Sequence, residues 1–432
     1  MAVTVQTLTE LNDLAKDYFS NVYSKAYNSE TPLKSQFGRL ENAEFVGKKW
    51  IFGVKLMRGG GSANAGANKT LPDAKSGQFD QGEATVKRTY TRMSLDGLAL
   101  EVTKSKGGSF KPALKEEMED RLEMHDKEVN RQMFSPGNGV LFTITTGGTV
   151  SATQTPGTGI SGAKGDYGVV NAGSGLKHVQ IGDALKFYDS TLATPNATGA
   201  AAGAAVTVTA IDYGAGTITL SATVDMADGD VATRATSDTD NIQAGEATGL
   251  LKSVLDSGTL HGIPATLKGW QSYRNHNSGT LRAISDNLAL RTVMQIKARS
   301  GKKPNLVVTT PSIILKYSEL LTPLRQLMGT NPPLAGGYTP ISYLNTGGAP
   351  IPVMEDTSCP QSKMFFLNTS AFKLADVVGT EMSSMDGAQF DRVTDKDAIE
   401  GYIRKYWELI TINRAANGLI EDIIDDGINE IS

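Results

Sequence analysis

Three consecutive glycines, Gly59-Gly60-Gly61, have the backbone freedom to cradle a phosphate. No helix pattern and no Gly-Lys-Ser/Thr ending follows them, so the run reads as a flexible loop tip. Asp238 and Asp240 carry the spacing that opens a calcium loop, but the sixth-place glycine and the terminal glutamate are missing. The pair reads as a solvated turn. His125, His178, His261 and His276 are scattered without metal-ligand spacing. The single cysteine, Cys359, excludes an internal disulfide framework and a Cys-based zinc site; with no histidine beside it and no helix start behind it, it reads as a structural thiol. No nucleophile–base pair or metal cluster assembles from these residues, and the chain is expected to be no enzyme, with no catalytic, cofactor-binding or metal site.

What these residues sit on is more informative. Residues 111–134 form the one long, strongly patterned helix, with Leu114, Met118, Leu122, His125, Val129 and Met133 recurring every three or four residues along one stripe. His125 therefore reads as a packed core residue. Glu117 and Arg121, then Glu123 and Lys127, stand four apart with the acid first, the favourable order on a helix face. Pro112 suits a first turn, and Ser135-Pro136-Gly137 stops the run. Such a helix acts as a spine across β-rich flanks. A second amphipathic helix is expected over residues 7–28, on Leu8, Leu11, Ala15, Phe19, Val22 and Ala26. Between the two, residues 48–57 and 83–94 read as the legs of a protruding hairpin, joined by a glycine-rich, polar stretch with too little apolar area to order itself.

The composition changes after the spine. Residues 143–242 hold nine aspartates against four cations, Lys164, Lys177, Lys186 and Arg234, and no Trp or Glu. Val206, Val208 and Ala210 alternate with threonines, Gly214-Ala215-Gly216 turns, and Ile218, Leu220 and Ala222 alternate back, which gives a hairpin; residues 179–188 supply a similar strand. The stretch reads as a small β-barrel or sandwich inserted into a host domain. Mixed character then returns: a helix over 281–300 stopped by Gly301, a strand at 305–309, a helix from Thr310-Pro311 to Leu321, a loop at 329–340, short strands at 350–354, 364–367 and 371–374, a long strand at 402–413, a turn at Asn417-Gly418 and a short acidic tail.

With 432 residues, the chain should hold several modules. A formal net charge of −4 argues against coating nucleic acid through a basic face. No apolar run approaches the roughly 20 residues of a membrane helix, and no basic-then-apolar leader opens the chain, so a soluble protein without a membrane partner is expected. The 46 glycines point to many turns and loops.

Three runs, taken in order, carry a resemblance. GKKPNLVVTTPSIILKYSELL (residues 301–321), GAPIPVMEDTSCPQSKMFFLNTSAFKLAD (348–376) and YIRKYWELITINRAANGLI (402–420) resemble the axial strand and helix, the following segment and the peripheral return strand of the major capsid protein of tailed double-stranded DNA bacteriophages, the Hong Kong 97-like fold. The order arm, hairpin, spine helix, inserted β module, helix–strand–helix and late strands also resembles that family, outside residues 143–242. The resemblance implies an α+β fold with an N-terminal arm (1–34), an extended hairpin loop (35–100), a spine helix and first part of a peripheral domain (101–142), an inserted all-β barrel or sandwich (143–242), a return to the peripheral domain (243–280), an axial domain (281–375) and C-terminal peripheral strands (376–432).

It further implies self-assembly through hexamers and pentamers into an icosahedral shell enclosing double-stranded DNA without sequence-specific binding, in a virion assembled in the host cytoplasm. The arm starts close to Met1, which implies a separate scaffolding protein or none; a portal is expected and a decoration protein is possible. Some members crosslink a hairpin lysine to a neighbour's asparagine; Lys55, Lys69, Lys75 and Lys87 lie in the hairpin, but with no aligned acceptor no crosslink is expected. The candidate intersubunit contacts are Lys55, Arg58, Lys87, Arg88 and Arg92, set against Glu116, Glu117, Asp120 and Glu123 of another copy's spine helix. The acidic module is expected to project outward. Competing readings are an encapsulin-like compartment shell and a bacterial surface or adhesion protein.

Overall fold

The computed structural model describes residues 31–40, 49–67, 69–96, 113–144, 148–150, 160–161, 177–198, 201–212, 217–227, 229–235, 245–327, 351–383, 390–393 and 397–425. The helix expected at 7–28, Asp238, Asp240 and the loop at 329–340 lie outside them.

The spine is a single 22-residue helix, Ala113–Phe134, ended as expected at Ser135, with Gly137 at φ 81°. Its burial is uneven. From His125 onward Val129 and Met133 are fully enclosed, and Asn130, Arg131 and Gln132 are buried beside them. The last two turns are therefore covered all round rather than along one stripe. Leu122, expected on that stripe, is 45 % exposed. The stripe is correct in phase, but the enclosing core ends before it reaches this turn.

The hairpin differs from expectation on its return leg. Lys49–Met57 pairs antiparallel with Gln78–Thr85, from Lys49 opposite Thr85 to Met57 opposite Gln78. The strand Lys87–Asp96 follows and pairs instead with Ala398–Thr411. Gln78, Asp80, Gln81 and Gly82 are poor strand formers on their own, and cross-strand pairing overrides that preference. Gly60 and Lys75 exchange two backbone hydrogen bonds of 3.0 and 3.1 Å, extending the ribbon toward its tip. This closure explains the glycine run. A Cβ at Gly59 would stand 2.8 Å from the Lys75 carbonyl oxygen, and Gly61, at φ 115°, would place one 2.7 Å from that of Asp73.

Two open sheets occupy the stretch from Val140 to Arg234. One runs in the order Val140–Thr143, Val231–Arg234, Ala184–Tyr188, Val206–Asp212, Thr217–Leu220, Ile160–Ser161; the other is four-stranded. Among the described residues neither closes into a barrel, because the end strands of the larger sheet do not pair with each other. The hairpin of Val206–Asp212 with Thr217–Leu220 forms as expected, with a bulge between Val208 and Ala210. Leu141, Phe142, Leu185, Phe187, Val206, Val208, Ile218, Leu220, Val224 and Met226 meet in one core fed by both sheets.

The remaining core is built on a five-stranded sheet ordered Tyr273–Asn275, Gly418–Ile420, Met364–Leu367, Leu306–Thr309, Val353–Glu355. The apolar faces of its strands split between two clusters: Phe365, Leu367, Leu306 and Leu419 join the spine's Val129, Met133 and Phe134, whereas Val307, Phe366 and Ile420 join Ala289, Val293 and Ile296 of the helix Asp286–Ser300. That helix starts later than expected, where the Ser285 hydroxyl accepts from Leu288 N (3.2 Å), and ends at Gly301, φ 70°. The next helix, Pro311–Leu327, outruns its expected end. Asn417-Gly418, read as a turn, instead leads into a strand at an interior place of the sheet, and Phe372–Met382 and Ala398–Thr411 are longer than expected.

The described residues divide into two compact units: one within 90–125 and 381–403, the other within 31–89, 126–380 and 404–425.

Candidate intersubunit surfaces

Three of the residues weighed for chemistry, His125, His178 and Cys359, are buried. His125 is fully buried in the smaller unit, with its Nδ1 3.0 Å from the Thr91 hydroxyl. Cys359 is fully buried in the larger one, in the core beside the spine, and its backbone carbonyl accepts from Lys177 Nζ at 2.9 Å. Among the described residues no three His, Cys, Asp or Glu side chains stand close enough to hold a metal ion, and no helix is long and apolar enough to cross a membrane.

The charged candidates fall into three places. Lys55 and Arg58 are exposed on the hairpin, where the Lys55 ammonium lies 5.4 Å from the Phe79 ring centroid. In the larger unit Arg88 is exposed, and its guanidinium and that of Arg404 lie 5.7 and 5.8 Å from the Tyr406 ring centroid; Lys87 beside it is half-buried. In the smaller unit Arg92 forms an ion pair with Glu400 of its own chain, and Glu117 accepts from Arg121 Nε at 2.6 Å, the expected i, i+4 pair. Asp120 and Glu123 are half-buried. The side chain of Glu116 lies outside the described ones. The structure thus gives Arg92 and Glu117 intrachain partners, which the sequence pattern shows only for Glu117.

Sequence reasoning passed over the hairpin's apolar content. Trp50, Val54 and Leu56 point inward, and Val54 and Leu56 meet Leu260, Ile263 and Trp270. The alternate residues Ile51 and Met57, with Phe79 across from Lys55, are exposed. The period-two alternation of residues 49–57 contains this signal: both faces of the ribbon carry apolar residues, and among the described residues only one face packs into an apolar cluster. Where the ribbon leaves the body it is fitted closely, since a Cβ at Gly269 would stand 2.0 Å from the Leu56 carbonyl oxygen. His261 belongs to this base. It adopts φ 52°, its carbonyl accepts from Glu83 N (2.8 Å), and its Nε2 accepts from Thr411 N (3.2 Å). Burial, with Lys252 and Arg414 nearby, lowers its pKa to about 4, so the ring is neutral at physiological pH.

A second group the sequence conceals is buried on the strand Ala398–Thr411. Glu408 is 2 % exposed and accepts from Thr248 N at 2.7 Å; burial pushes its pKa up to about 8. Lys405, buried on the same strand, donates to Asp376 at 3.0 Å, and burial holds its pKa below the ordinary lysine value. The acidic tail residues are likewise enclosed: Glu421 accepts from Arg274 Nε (2.5 Å) and Lys363 Nζ (3.0 Å), and Asp425 accepts from Thr310 (2.7 Å) and Ser312.

No family model and no curated protein matches the chain in sequence comparison. Solved structures do match in shape. The chain is similar to the capsid protein in a cyanophage A-1(L) capsid asymmetric unit, at a TM-score of 0.54 and 13 % identity, over 95 % of this chain and 98 % of that one. It is similar to the capsid of an empty GTA particle at a TM-score of 0.50 and 8 % identity, over 98 % and 100 %. A holo-SrpI encapsulin complex from Synechococcus elongatus matches at a TM-score of 0.45 and 8 % identity, over 98 % and 96 %, below the level that bears on fold. Identities this low speak to architecture alone, and on that architecture the chain has the Hong Kong 97-like capsid fold.

Proposed function

We propose that this chain is a major capsid protein, which self-assembles through hexamers and pentamers into the icosahedral shell of a tailed bacteriophage and encloses double-stranded DNA. The observation that carries this reading is the end-to-end shape match to a phage capsid protein, 95 % of one chain on 98 % of the other. A ribbon with one face packed in a core and Ile51, Met57 and Phe79 exposed among the described residues fits a subunit that completes its packing on neighbours. The chain acts in the virion after assembly in the host cytoplasm, with a separate scaffolding protein and a portal as further partners and a decoration protein where one exists. No catalytic or cofactor role is proposed.

The domain division set out from the sequence is kept as part of this proposal, including the insertion at residues 143–242 and its outward projection. Labelling of Lys164 on intact particles tests that projection, since the Lys177 ammonium is already held by the Cys359 carbonyl; failure of Lys164 to react counts against it.

For the contacts, Lys55, Arg58, Lys87 and Arg88 are the cations proposed to meet Glu116, Asp120 and Glu123 of another copy, and Arg92 is a weaker member because Glu400 already takes it. Reversing Lys55 and Arg58 to glutamate should abolish closed shells while leaving the subunit's melting temperature unchanged. Shell yield that survives the reversal removes these residues from the interface. Nucleic acid extracted from purified particles, against protein cargo, separates the phage shell from a cargo compartment.

A further inference from the structure

The stretch between Val140 and Arg234 has its own core, and charged side chains are buried where it joins the spine. Its entry and exit strands, Val140–Thr143 and Val231–Arg234, pair with each other, and Ile144 and Asp230 continue the pairing with a 2.6 Å backbone hydrogen bond. Beneath this neck, Arg131 of the spine is 2 % exposed and pairs with both Glu128 (2.7 Å) and Glu246. Glu246 in turn accepts from Ser135 Oγ (2.9 Å) and from Gly139 N (3.1 Å), tying the chain that leaves the neck to the chain that enters it. Gly249 completes the join: its N–H donates to the Ser135 carbonyl at 3.0 Å, and a Cβ there would lie 2.4 to 2.5 Å from three carbonyl oxygens at the end of the spine.

Arg234, the last residue of the exit strand, carries the charge into the module. One terminal nitrogen donates to the His178 carbonyl at 2.8 Å and stands 3.6 Å from Glu128 and 4.0 Å from Asp183. Lys177 makes a separate attachment, donating to the Cys359 carbonyl on a turn remote from the spine in sequence. A body held at one neck can rotate about it. Added attachments to two different host elements remove that freedom, and a buried ion pair that loses one partner strands the other charge without water.

We propose that Arg131, Glu128, Glu246 and Arg234 form an ion-pair clasp that, with the Lys177 attachment, fixes the orientation of the β module on the spine helix. The module is then carried as a rigid extension, presenting the same face from every copy of the chain. The inference does not depend on the shell reading, since it concerns a single subunit.

The test measures orientation directly in the full-length chain. Spin labels at Ile181→Cys, on an exposed turn of the module, and Leu315→Cys, on the exposed side of the helix Pro311–Leu327, are placed in a Cys359→Ser background and diluted with unlabelled protein. The parent should give one narrow distance distribution. Arg234→Gln should broaden it at least about twofold, as alternative orientations become populated. Glu128→Gln provides the second variant, altering the clasp from the spine side without touching the module's core. It should broaden the distribution in the same way, and the double variant should add little to either. A parent distribution already broad, or widths unchanged in Glu128→Gln, overturns the clasp.

Discussion

Glu408 illustrates how burial turns an ordinary residue into a pH-sensitive one. Its folded pKa of about 8 lies above the ordinary 4.5, so the folded state holds a proton that the unfolded chain releases. That stabilisation is full below about pH 4.5 and is lost as pH rises through 8. Glutamine copies the neutral form; Glu408→Gln should therefore match the parent's melting temperature near pH 5 and exceed it at pH 9. Parallel pH profiles would show that the carboxyl is already ionised in the fold. His261 has the opposite sign. With a folded pKa of about 4 against 6.5, it contributes stability above pH 6.5 that is lost as pH falls through 4. His261→Gln, which keeps an acceptor for Thr411 N, should flatten the melting profile between those values. An unchanged acid limb would assign it to other groups.

At the level of elements, legibility followed the strength of the local pattern. The spine helix and the stop at Gly301 were readable, because 3.6-residue periodicity, Pro112 and the C-terminal glycine all point the same way. The hairpin's return leg was not: Gln78, Asp80, Gln81 and Gly82 outweigh the lone strand former Phe79, and only the partner strand makes the segment one. Glu421 and Asp425 failed for a different reason. An acidic tail ordinarily means solvent, whereas here Arg274, Lys363, Thr310 and Ser312 converge on it from distant sequence, a non-local fact. Among the candidate contacts, the charge pattern located exposed cations but missed the exposed Ile51, Met57 and Phe79 between them. The fit at the ribbon's base yields its own prediction. Gly269→Ala forces a methyl against the Leu56 carbonyl and should cost about 1–3 kcal/mol locally. Tryptic cleavage at Arg58, Lys69 and Lys75 should accelerate while the five-stranded sheet stays protected. Unaltered cleavage would mean the loop and ribbon separate without strain.

For the molecule as a whole, the resemblance rests on the order of parts rather than on any motif. The strongest sequence features are shapes: a spine, a protruding hairpin and an acidic β module. The five-stranded sheet places the Gly418–Ile420 strand between Tyr273–Asn275 and Met364–Leu367, so the last part of the described chain completes the core. Ending the chain at Asn417 should leave an unpaired gap between those strands and give aggregated rather than assembled protein. Soluble particles from such a truncation would mean the sheet closes without that strand. Assembly into shells is read out by negative-stain electron microscopy of the purified protein, expressed alone and with candidate scaffolding genes. Closed shells of uniform diameter are the predicted result. Monodisperse single subunits under every condition would contradict it.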